Sequence, residues 1–513
     1  MTVTLSSLIL VTIFSISSTV CAQICNIYCD DRDPNLASTG VRSPVAVTLF
    51  GRGITLKISD ADNMAYAEIN NGDPGDEVWL DRSFDGGVSW EDGSRLGSNS
   101  IPTEMRGCRT NMYNIDNPRH SNNLGIGSMR SCAKVNNRPD IACTSWARST
   151  INADTPMDAA ATALMQFYDE RSLWKTTGWW NSANALTAII DYTKYTEKTT
   201  YSYAIDGTFE NNKNAEDGNF TNFYIDDTLW WGLAWVGAYD VTGNEKYLEM
   251  AKIDADYSYE YKDGICGGGL WWTVERGYKN AIPNELFIKL AAALHNRVPG
   301  DSKYLSQAIE VWNWFRSSGM FNSENLINDG LDSNCKNNGQ VTWSYNQGVI
   351  IGGLVELFKG TADQNYINEA KSIADAVIRS TSLNPNGVLF DYGCEQGNGD
   401  CGNDGPSFKG IFNRNLGELD RVLEGRPYLS WLVAQTDSIY HYSRNSLDQY
   451  GVHWKGPFDR ADAARQQSAL DAFNAAFVST NIRNSSHKIV KGILSICSPI
   501  LIFILRTSNT LLV

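Results

Sequence analysis

The chain has 513 residues, with 43 lysines and arginines against 58 aspartates and glutamates, and its formal charge is −15. This length fits one large domain with a smaller one, and the 42% apolar composition can fill a buried core. The net negative charge argues against nucleic acids and anionic polysaccharides as ligands, since both bind basic surfaces. It leaves a neutral substrate open, and the 16 tryptophans and 23 tyrosines suit either a core or stacking on sugar rings.

Residues 1–22 have the pattern of a secretory signal peptide. A short apolar run at 8–14 is followed by a small-residue cleavage site that ends at Ala22. The alternative is an N-terminal membrane anchor, but the run is short for a membrane span. The sequence therefore predicts a secreted, extracellular protein.

Nine cysteines remain when the signal peptide and Cys497 of the C-terminal tail are set aside. In a secreted chain most of them should be oxidised, and Cys394 and Cys401 flank a Gly/Asn/Asp loop that could be bridged locally. Because nine is odd, one cysteine is free or pairs with Cys497. The sequence has no CxxC pair and its five histidines are scattered, so no zinc site and no cofactor are expected.

The C-terminal tail, residues 484–513, has no assigned role. Its apolar stretch is interrupted by Pro499 and is short for a span. A GPI signal is one interpretation, which would place the protein at the membrane of the cell surface instead of in the medium. Asn219 and Asn484 stand in glycosylation sequons, which predicts a glycoprotein.

Residues 23–149 are predicted to form a small β-rich module that contains disulfides. Short β-prone runs at 45–50 and 54–58 are separated by clusters of turn-forming residues. Residues 83–90 resemble an Asp-box, S-x-D-x-G-x-x-W, a hairpin-turn motif of sialidases and other β modules. A propeller would repeat the box, and only one copy occurs here. We therefore interpret the segment as a hairpin turn.

The pattern becomes helical in residues 150–483, beginning with a breaker-free run at 159–168. Three segments repeat a tyrosine and an alanine four positions apart, beginning at Tyr247, Tyr304 and Tyr366. Each follows residues that cap helices well, and a period of about 45–65 residues holds two helices with their loops. Six such hairpins would fill residues 154–478. The expected closure is an (α/α)6 toroid, and the alternative is an open helical solenoid.

Adjacent Asp226 and Asp227 are the strongest candidates for catalysis. Two carboxylates are the minimum for glycoside hydrolysis, and adjacency favours the short separation of a retaining mechanism over the longer one of an inverting mechanism. Two like charges side by side should also separate their pKa values, so that one carboxyl stays protonated as the acid. The alternative is a helix cap, but a solvated cap has no need of the flanking Trp230 and Trp231.

Further candidate substrate-binding residues lie in aromatic and amide-rich segments that the sequence suggests are loops before helices. In a toroid such loops would line one cleft. Aromatic rings suit stacking on sugars and amides suit sugar hydroxyls, but core packing and loop bracing are equally open interpretations. The candidates are Trp180, Trp230, Trp271, Trp272, Asn280, Tyr345, Asn346 and Gln347.

Five motifs occur in the order Y-I-D-D-x-x-W-W, G-G-x-W-W, K-N-A-I-x-N-E-L, Y-N-Q-G and F-K-G-I-F-x-R. In this order they resemble glycoside hydrolase family 76, over about residues 154–478. The resemblance implies an (α/α)6 fold and endo-α-1,6-mannanase activity on α-mannan. It also implies a retaining mechanism, with Asp226 as the nucleophile and Asp227 as the general acid/base.

Three functions are compatible with this resemblance. The first is a secreted, monomeric endo-α-1,6-mannanase acting on neutral α-mannan. The second is a cell-wall transglycosylase that uses the same aspartates, since some fungal members of the family are GPI-anchored. The third is a catalytically inactive carbohydrate-binding protein, which the intact pair Asp226 and Asp227 argues against.

Overall fold

The computed structural model describes residues 30–478, apart from residues 39, 90–93, 118–124 and 152. It divides into two compact units. The first comprises the described residues of 30–82, 94–117 and 129–145, and the second comprises the rest. The predicted signal peptide, the C-terminal tail and the sequon at Asn484 lie outside the described residues.

The first unit contains two antiparallel sheets, as expected for a β-rich module. One sheet has the order β1-β2-β3-β6, with β7 pairing beside β3, and the other has the order β5-β4-β8-β9. The strands are β1 (Arg42–Leu49), β2 (Arg52–Ser59), β3 (Met64–Asn70), β4 (Glu77–Ser83), β5 (Arg95–Ser100), β6 (Gly107–Arg109), β7 (Tyr113–Asn114), β8 (Ser128–Lys134) and β9 (Ile141–Cys143).

The predicted β-prone runs form β1 and β2, which pair in register from Val45 opposite Leu56 to Leu49 opposite Arg52. Alternate side chains of β2, at Ile54, Leu56 and Ile58, are completely buried. This period of two is what a half-buried strand requires.

Residues 83–89 form a hairpin turn, which confirms our interpretation of the Asp-box-like segment. The Ser83 hydroxyl donates to the Ser89 carbonyl (2.6 Å) and accepts the Gly87 N–H (3.0 Å). The Asp85 carboxylate accepts the Ser89 N–H at 2.9 Å. These side chains replace the backbone partners that the turn lacks.

The second unit contains twelve long helices and one short helix among the described residues. They are α1 (Pro156–Met165), α2 (Trp179–Thr196), α3 (Tyr203–Asn212), α4 (Ile225–Thr242), α5 (Glu245–Tyr259), α6 (Ala281–His295), α7 (Lys303–Ser317), α8 (Ser344–Thr361), α9 (Gln364–Arg379), α10 (Tyr392–Glu395), α11 (Phe408–Val422), α12 (Leu429–Tyr442) and α13 (Ala463–Ala476). The first helix ends earlier than the run at 159–168 suggested.

Six inner helices close a ring in the order α2, α4, α6, α8, α11 and α13, and α13 packs back on α2. The other six long helices form the outer layer. The closed ring confirms the predicted (α/α)6 toroid and excludes an open solenoid.

The tyrosine–alanine repeats lie on three outer helices, α5, α7 and α9. Tyr247, Ala251, Tyr304 and Ala308 are all buried, because residues four apart share one face of a helix. Helix α5 is capped by Asn244, whose side chain accepts the Lys246 N–H. The tyrosine–alanine repeat therefore identifies outer helices, because its two residues form part of the buried face of each helix.

Disulfides join three pairs of described cysteines. The bond between Cys394 and Cys401 was expected from the loop that they flank. The other two bonds join Cys132 with Cys143, and Cys266 with Cys335. Cys108 keeps a free thiol, and burial raises its pKa to about 11. A thiol with so high a pKa is a poor nucleophile at neutral pH.

Neighbouring inner helices approach closely where glycine faces the next helix. A Cβ atom on Gly410, early in α11, would lie 2.3 Å from Cα of Ser468 in α13. One on Gly348, early in α8, would lie 2.5 Å from Cα of Phe412 in α11. The early turns of these inner helices therefore lie side by side, at the same position along the axis of the toroid.

We expect Gly410→Ala to destabilise the toroid by about 1–3 kcal/mol, because the added methyl group meets backbone that cannot move aside cheaply. The measurement is urea unfolding followed by tryptophan fluorescence. Gly277→Ala is the control, since its added Cβ meets open space. Equal stabilities of Gly410→Ala and the wild type would contradict this account of the packing.

In the described part of the chain, no helix is both long and apolar enough to span a bilayer.

Candidate active site

The first turns of the inner helices gather at one end of the toroid, and most of the candidate site residues lie there. Our prediction that these residues occupy loops before the helices is confirmed for Trp271, Trp272 and Asn280, which precede α6, and was wrong for the others. Trp180, Tyr345 and Phe408 are in the first turns of α2, α8 and α11, respectively. The three helices begin at Trp179, Ser344 and Phe408, so each already includes the aromatic residue in question.

Asp226 and Asp227 are the second and third residues of α4. The N-cap position belongs to Tyr224, which makes no side-chain cap, and the Ile225 N–H donates to the Trp272 carbonyl at 2.8 Å. The helix start is therefore fixed by a neighbouring chain segment. Successive helical residues project roughly 100° apart, so the two half-buried carboxyls flank one another on the helix end.

Burial raises the pKa of Asp226 above its usual range, because the charged form loses hydration. The Trp272 indole N–H and the backbone N–H groups of Asp226 and Asp227 act in the opposite direction and favour the carboxylate. The negative charge of Asp404 raises the pKa further. These N–H groups lie close to the Asp226 carboxyl, whose buried Oδ1 has no hydrogen-bond partner among the described residues.

Burial also raises the pKa of Asp227 well above its usual range, and the negative charges of Asp226, Asp404 and Glu216 add to the effect. Every influence on this carboxyl favours its protonated form. Of the pair, Asp226 should therefore ionise first while Asp227 keeps its proton. Such a pair can present one ionised and one protonated carboxyl side by side.

Trp230, Trp180 and Phe408 form an aromatic wall on one side of the aspartates. Trp230, four residues after Asp226 and on the same face of α4, is buried and stacks on Trp180 of α2 with ring centroids 5.6 Å apart. The Trp180 indole N–H donates to Oδ1 of Asp404 at 2.9 Å. Phe408 stands 6.3 Å from the Trp180 ring and continues the wall.

Tyr345 stacks on Phe408 with ring centroids 4.0 Å apart. Burial raises the pKa of its hydroxyl well above the usual range, and nearby carboxyls raise it further. Those carboxyls belong to Asp329, Asp226, Glu285 and Asp404. Tyr345 therefore lies close to several acidic groups at this end of the toroid.

The other side of the aspartates is formed by the segment that leads to α6. The Trp272 ring lies 5.1 Å from Tyr224 and 6.2 Å from Tyr278. Beyond Tyr278 is a pocket of about 590 Å³, which is also lined by Trp271 and Asp329. Aromatic surface thus continues on both sides of the carboxyl pair.

Trp271 is mostly covered by protein. Its indole N–H donates to Asp263 at 2.7 Å, and the Lys279 ammonium stands 4.1 Å above its ring. One edge of Trp271 lines the pocket while the ring itself is largely used in packing.

The three candidate amides differ in what they contact. The Asn280 side chain caps α6 by accepting the Ile282 N–H, and it donates to Asp329. Gln347 is buried, and its amide binds the backbone of Ile327 in both directions. Asn346 is completely buried, and neither polar atom of its side chain has a hydrogen-bond partner among the described residues.

Two tryptophans that flank the aspartates have different surroundings. Trp231 lies in the core, between Trp179 at 4.9 Å and Trp235 at 5.6 Å, whereas Trp230 backs the aromatic wall. They are consecutive on α4, so they face different neighbours.

Sequence reasoning missed four polar or aromatic groups of the cleft: Asp404, Phe408, Asp329 and Glu285. Glu285 lies on α6, is completely buried, and has no hydrogen-bond partner among the described residues. Phe408 stood in a motif that we recognised, F-K-G-I-F, but it was not chosen as a site residue. Glu285 also stood in a motif that we recognised, K-N-A-I-x-N-E-L, and was not chosen either. For Asp404 and Asp329, no local signal separates them from ordinary acidic residues.

A second cavity, of about 210 Å³, lies at the other end of the inner helices and is rich in charges. Its charges are mostly paired within the protein, as in Lys289 with Glu418 at 2.9 Å and Arg297 with Asp240 at 2.7 Å. Cations near the C-terminal ends of helices are favourable in themselves. We therefore interpret this cavity as part of the fold.

Comparison with known proteins places the toroid in a family. The family model "Glycosyl hydrolase family 76" matches residues 152–488. The mannan endo-1,6-alpha-mannosidase DCW1 of Eremothecium gossypii is 27% identical over 57% of this chain and 72% of its own length. The DCW1 mannosidase of Candida albicans is 28% identical over 50% of this chain and 61% of its own.

A solved structure shares the fold. It is an inactive variant of the alpha-1,6-mannanase GH76A of Salegentibacter sp. HEL1_6, with two adjacent aspartates changed to alanine, in complex with alpha-1,6-mannotetrose. The identity is 22% and the TM-score is 0.56, over 63% of this chain and 97% of the other. With the family model matching well over half of its length, the chain belongs to glycosyl hydrolase family 76 and is a glycoside hydrolase.

Proposed function

We propose that this protein is a retaining endo-α-1,6-mannanase with Asp226 as the nucleophile and Asp227 as the general acid/base. The observation that carries the proposal is the pair of adjacent, half-buried carboxyls at the start of α4, with the N–H groups of Trp272 and of the helix start near Asp226 and further carboxylates near Asp227. The curated relatives are named mannan endo-1,6-alpha-mannosidases. The inactive double-aspartate variant of a family member binds alpha-1,6-mannotetrose, which supports the same substrate for this chain.

In the first step, the Asp226 carboxylate attacks C1 of the sugar while the bond from C1 to the glycosidic oxygen breaks. Asp227 donates its proton to that oxygen, so that the leaving sugar departs as a neutral alcohol. The result is a mannosyl ester on Asp226. In the second step, Asp227 accepts a proton from water, and the resulting hydroxide attacks C1 and releases the Asp226 carboxylate.

Endo action is supported by the aromatic surfaces on both sides of the pair. Trp180 lies on α2, one neighbour of α4, and Trp272 precedes α6, the other neighbour. A linear glycan could therefore extend past the aspartates in both directions, and the pocket beside Tyr278 is large enough for a further sugar.

We assign different tasks to the candidate binding residues. Trp180, Trp272 and Tyr345 are proposed to contact sugar rings, whereas the completely buried Asn346 is given no direct contact with the sugar. Four others act mainly by holding this surface in place, because their polar groups or rings already have protein partners: Trp230, Trp271, Asn280 and Gln347.

The test is incubation of the purified protein with linear α-1,6-mannan, with β-1,4-mannan as the control polymer. We expect early release of short oligosaccharides from the α-1,6-linked polymer alone. Products longer than a supplied mannotetraose would show that another sugar replaces water as the acceptor, which is the transglycosylase alternative. Folded protein that binds the polymer without altering it would overturn the proposed hydrolase and favour a binding role.

A further inference from the structure

We propose that Asp404 is a third functional carboxylate of the cleft, a positioning residue that fixes the Trp180 indole beside the aspartate pair and adds negative charge there. The inference rests on the proposed function of Asp226 and Asp227. It assigns Asp404 no covalent part in the reaction.

The position of Asp404 follows from a short series of contacts. Asp226 and Trp230 share one face of α4, and the Trp180 ring stacks on Trp230. The indole N–H of Trp180 then donates to Asp404 Oδ1 at 2.9 Å. An indole has a single N–H donor, so this bond fixes how the ring is rotated in the wall.

The loop that carries Asp404 is fastened on both sides of it. The disulfide of Cys401 and Cys394 packs against Gly405, where a Cβ would lie 2.8 Å from Cβ of Cys401. Ser407 accepts a hydrogen bond from Asn181 of α2 at 3.1 Å. Because the loop is fixed on both sides of Asp404, the Asp404 carboxylate stays within hydrogen-bond distance of Trp180, although it is exposed to solvent.

The charge of Asp404 acts on both catalytic carboxyls. The groups that face Asp227 are Asp226, Asp404 and Glu216, and all three are acidic. Burial is the largest cause of the raised pKa of Asp227, and Asp404 adds to it. Because the negative charge opposes loss of the proton, it keeps the acid in its working form at higher pH.

Two substitutions separate the roles of position and charge. D404N keeps an oxygen that can accept the Trp180 N–H but removes the charge, so KM for α-1,6-mannotetraose should change less than about twofold. The alkaline limb of kcat/KM against pH should move down by about 0.5–1 unit, since the pKa of Asp227 falls. D404A removes both the hydrogen-bond acceptor and the charge. It should therefore shift the alkaline limb as D404N does and also raise KM about fivefold, the size expected for one lost hydrogen bond.

W180F and D400N are matched controls. W180F keeps an aromatic ring but has no N–H, so it should raise KM as D404A does and leave the pH profile unchanged. D400N removes a carboxylate from the same loop, one that pairs with Arg460 at 3.0 Å, and should change neither KM nor the alkaline limb. A wild-type KM in D404A overturns the positioning role, and a wild-type alkaline limb in D404N overturns the electrostatic role.

A measurement without substrate keeps this inference distinct from the proposed function. Carboxyl titration by NMR of protein labelled with ¹³C at aspartate Cγ should show a lowered pKa for the catalytic pair in D404N. If the wild-type protein failed to cleave α-1,6-mannan, the proposed function would fail, and this titration would still decide the role of Asp404. An unchanged titration in D404N would overturn the inference in either case.

Discussion

Asp226→Asn and Asp227→Asn should each reduce kcat/KM on linear α-1,6-mannan at least about a thousandfold, while the fold stays intact. The first variant lacks the charge needed to form the ester, and the second has no acidic proton to donate. Initial rates of reducing-end release measure the effect, and far-UV circular dichroism with thermal unfolding checks the fold. Turnover close to that of the wild type in either variant would contradict the assignment.

Azide distinguishes the two roles. With an activated mannoside, Asp227→Ala should still form the ester, and azide should then yield the α-mannosyl azide. Asp226→Ala has no nucleophile, so azide should attack directly and yield the β-mannosyl azide. The reverse pattern of products would exchange the roles of the aspartates.

Lys409→Met should destabilise the toroid by about 3–5 kcal/mol, because it removes the lysine counter-charge of the buried Glu395 carboxylate. Lys409 and Glu395 are 1% and 2% exposed, and their charged atoms lie 2.7 Å apart. The Lys409 ammonium also donates to the Val452 carbonyl at 2.6 Å. Chemical denaturation at neutral pH measures the loss.

The double variant Lys409→Met with Glu395→Gln is the control, since it removes both charges and should recover part of the stability. A Lys409→Met variant as stable as the wild type would contradict this account. Lys409 follows Phe408 directly, so the same variant should also weaken binding of mannan by displacing the aromatic wall.

The ion pair of Lys409 and Glu395 also predicts how the stability of the protein depends on pH. Burial alone would raise the pKa of Glu395, but Lys409 and His453 outweigh burial and lower it. A carboxyl with a lowered folded-state pKa contributes stability above its unfolded-state pKa, about 4.3, and that contribution is lost as the pH falls through the folded-state pKa. Unfolding free energies measured between about pH 5 and pH 2 should therefore fall more steeply in the wild type than in the double variant.

The sequence predicted the helical architecture well because its signal is local. The tyrosine and alanine of each outer-helix repeat lie four positions apart, so one turn of helix brings them to the same face. Closure of the ring depends on α13 meeting α2, which no local pattern encodes. It could be expected only from the number of hairpins and from the family resemblance.

The sequence did not distinguish amide side chains that brace the fold from amide side chains that have no protein partner. Asn346 and Gln347 are adjacent and both buried, yet Gln347 braces the backbone of Ile327 while Asn346 has no partner among the described residues. Consecutive helical positions face different directions, and the sequence does not give the rotation of the helix about its axis. Asp404 was missed for another reason, since its partner Trp180 is 224 residues away along the chain.

The most direct test of the central claim is to follow the anomeric protons by NMR as the purified protein cleaves unbranched α-1,6-mannan. The new reducing ends should appear first as α-anomers and only later equilibrate with the β form, because two successive displacements at C1 restore the configuration. Reducing ends that appear first as β-anomers would show a single displacement by water and would contradict the nucleophilic role of Asp226.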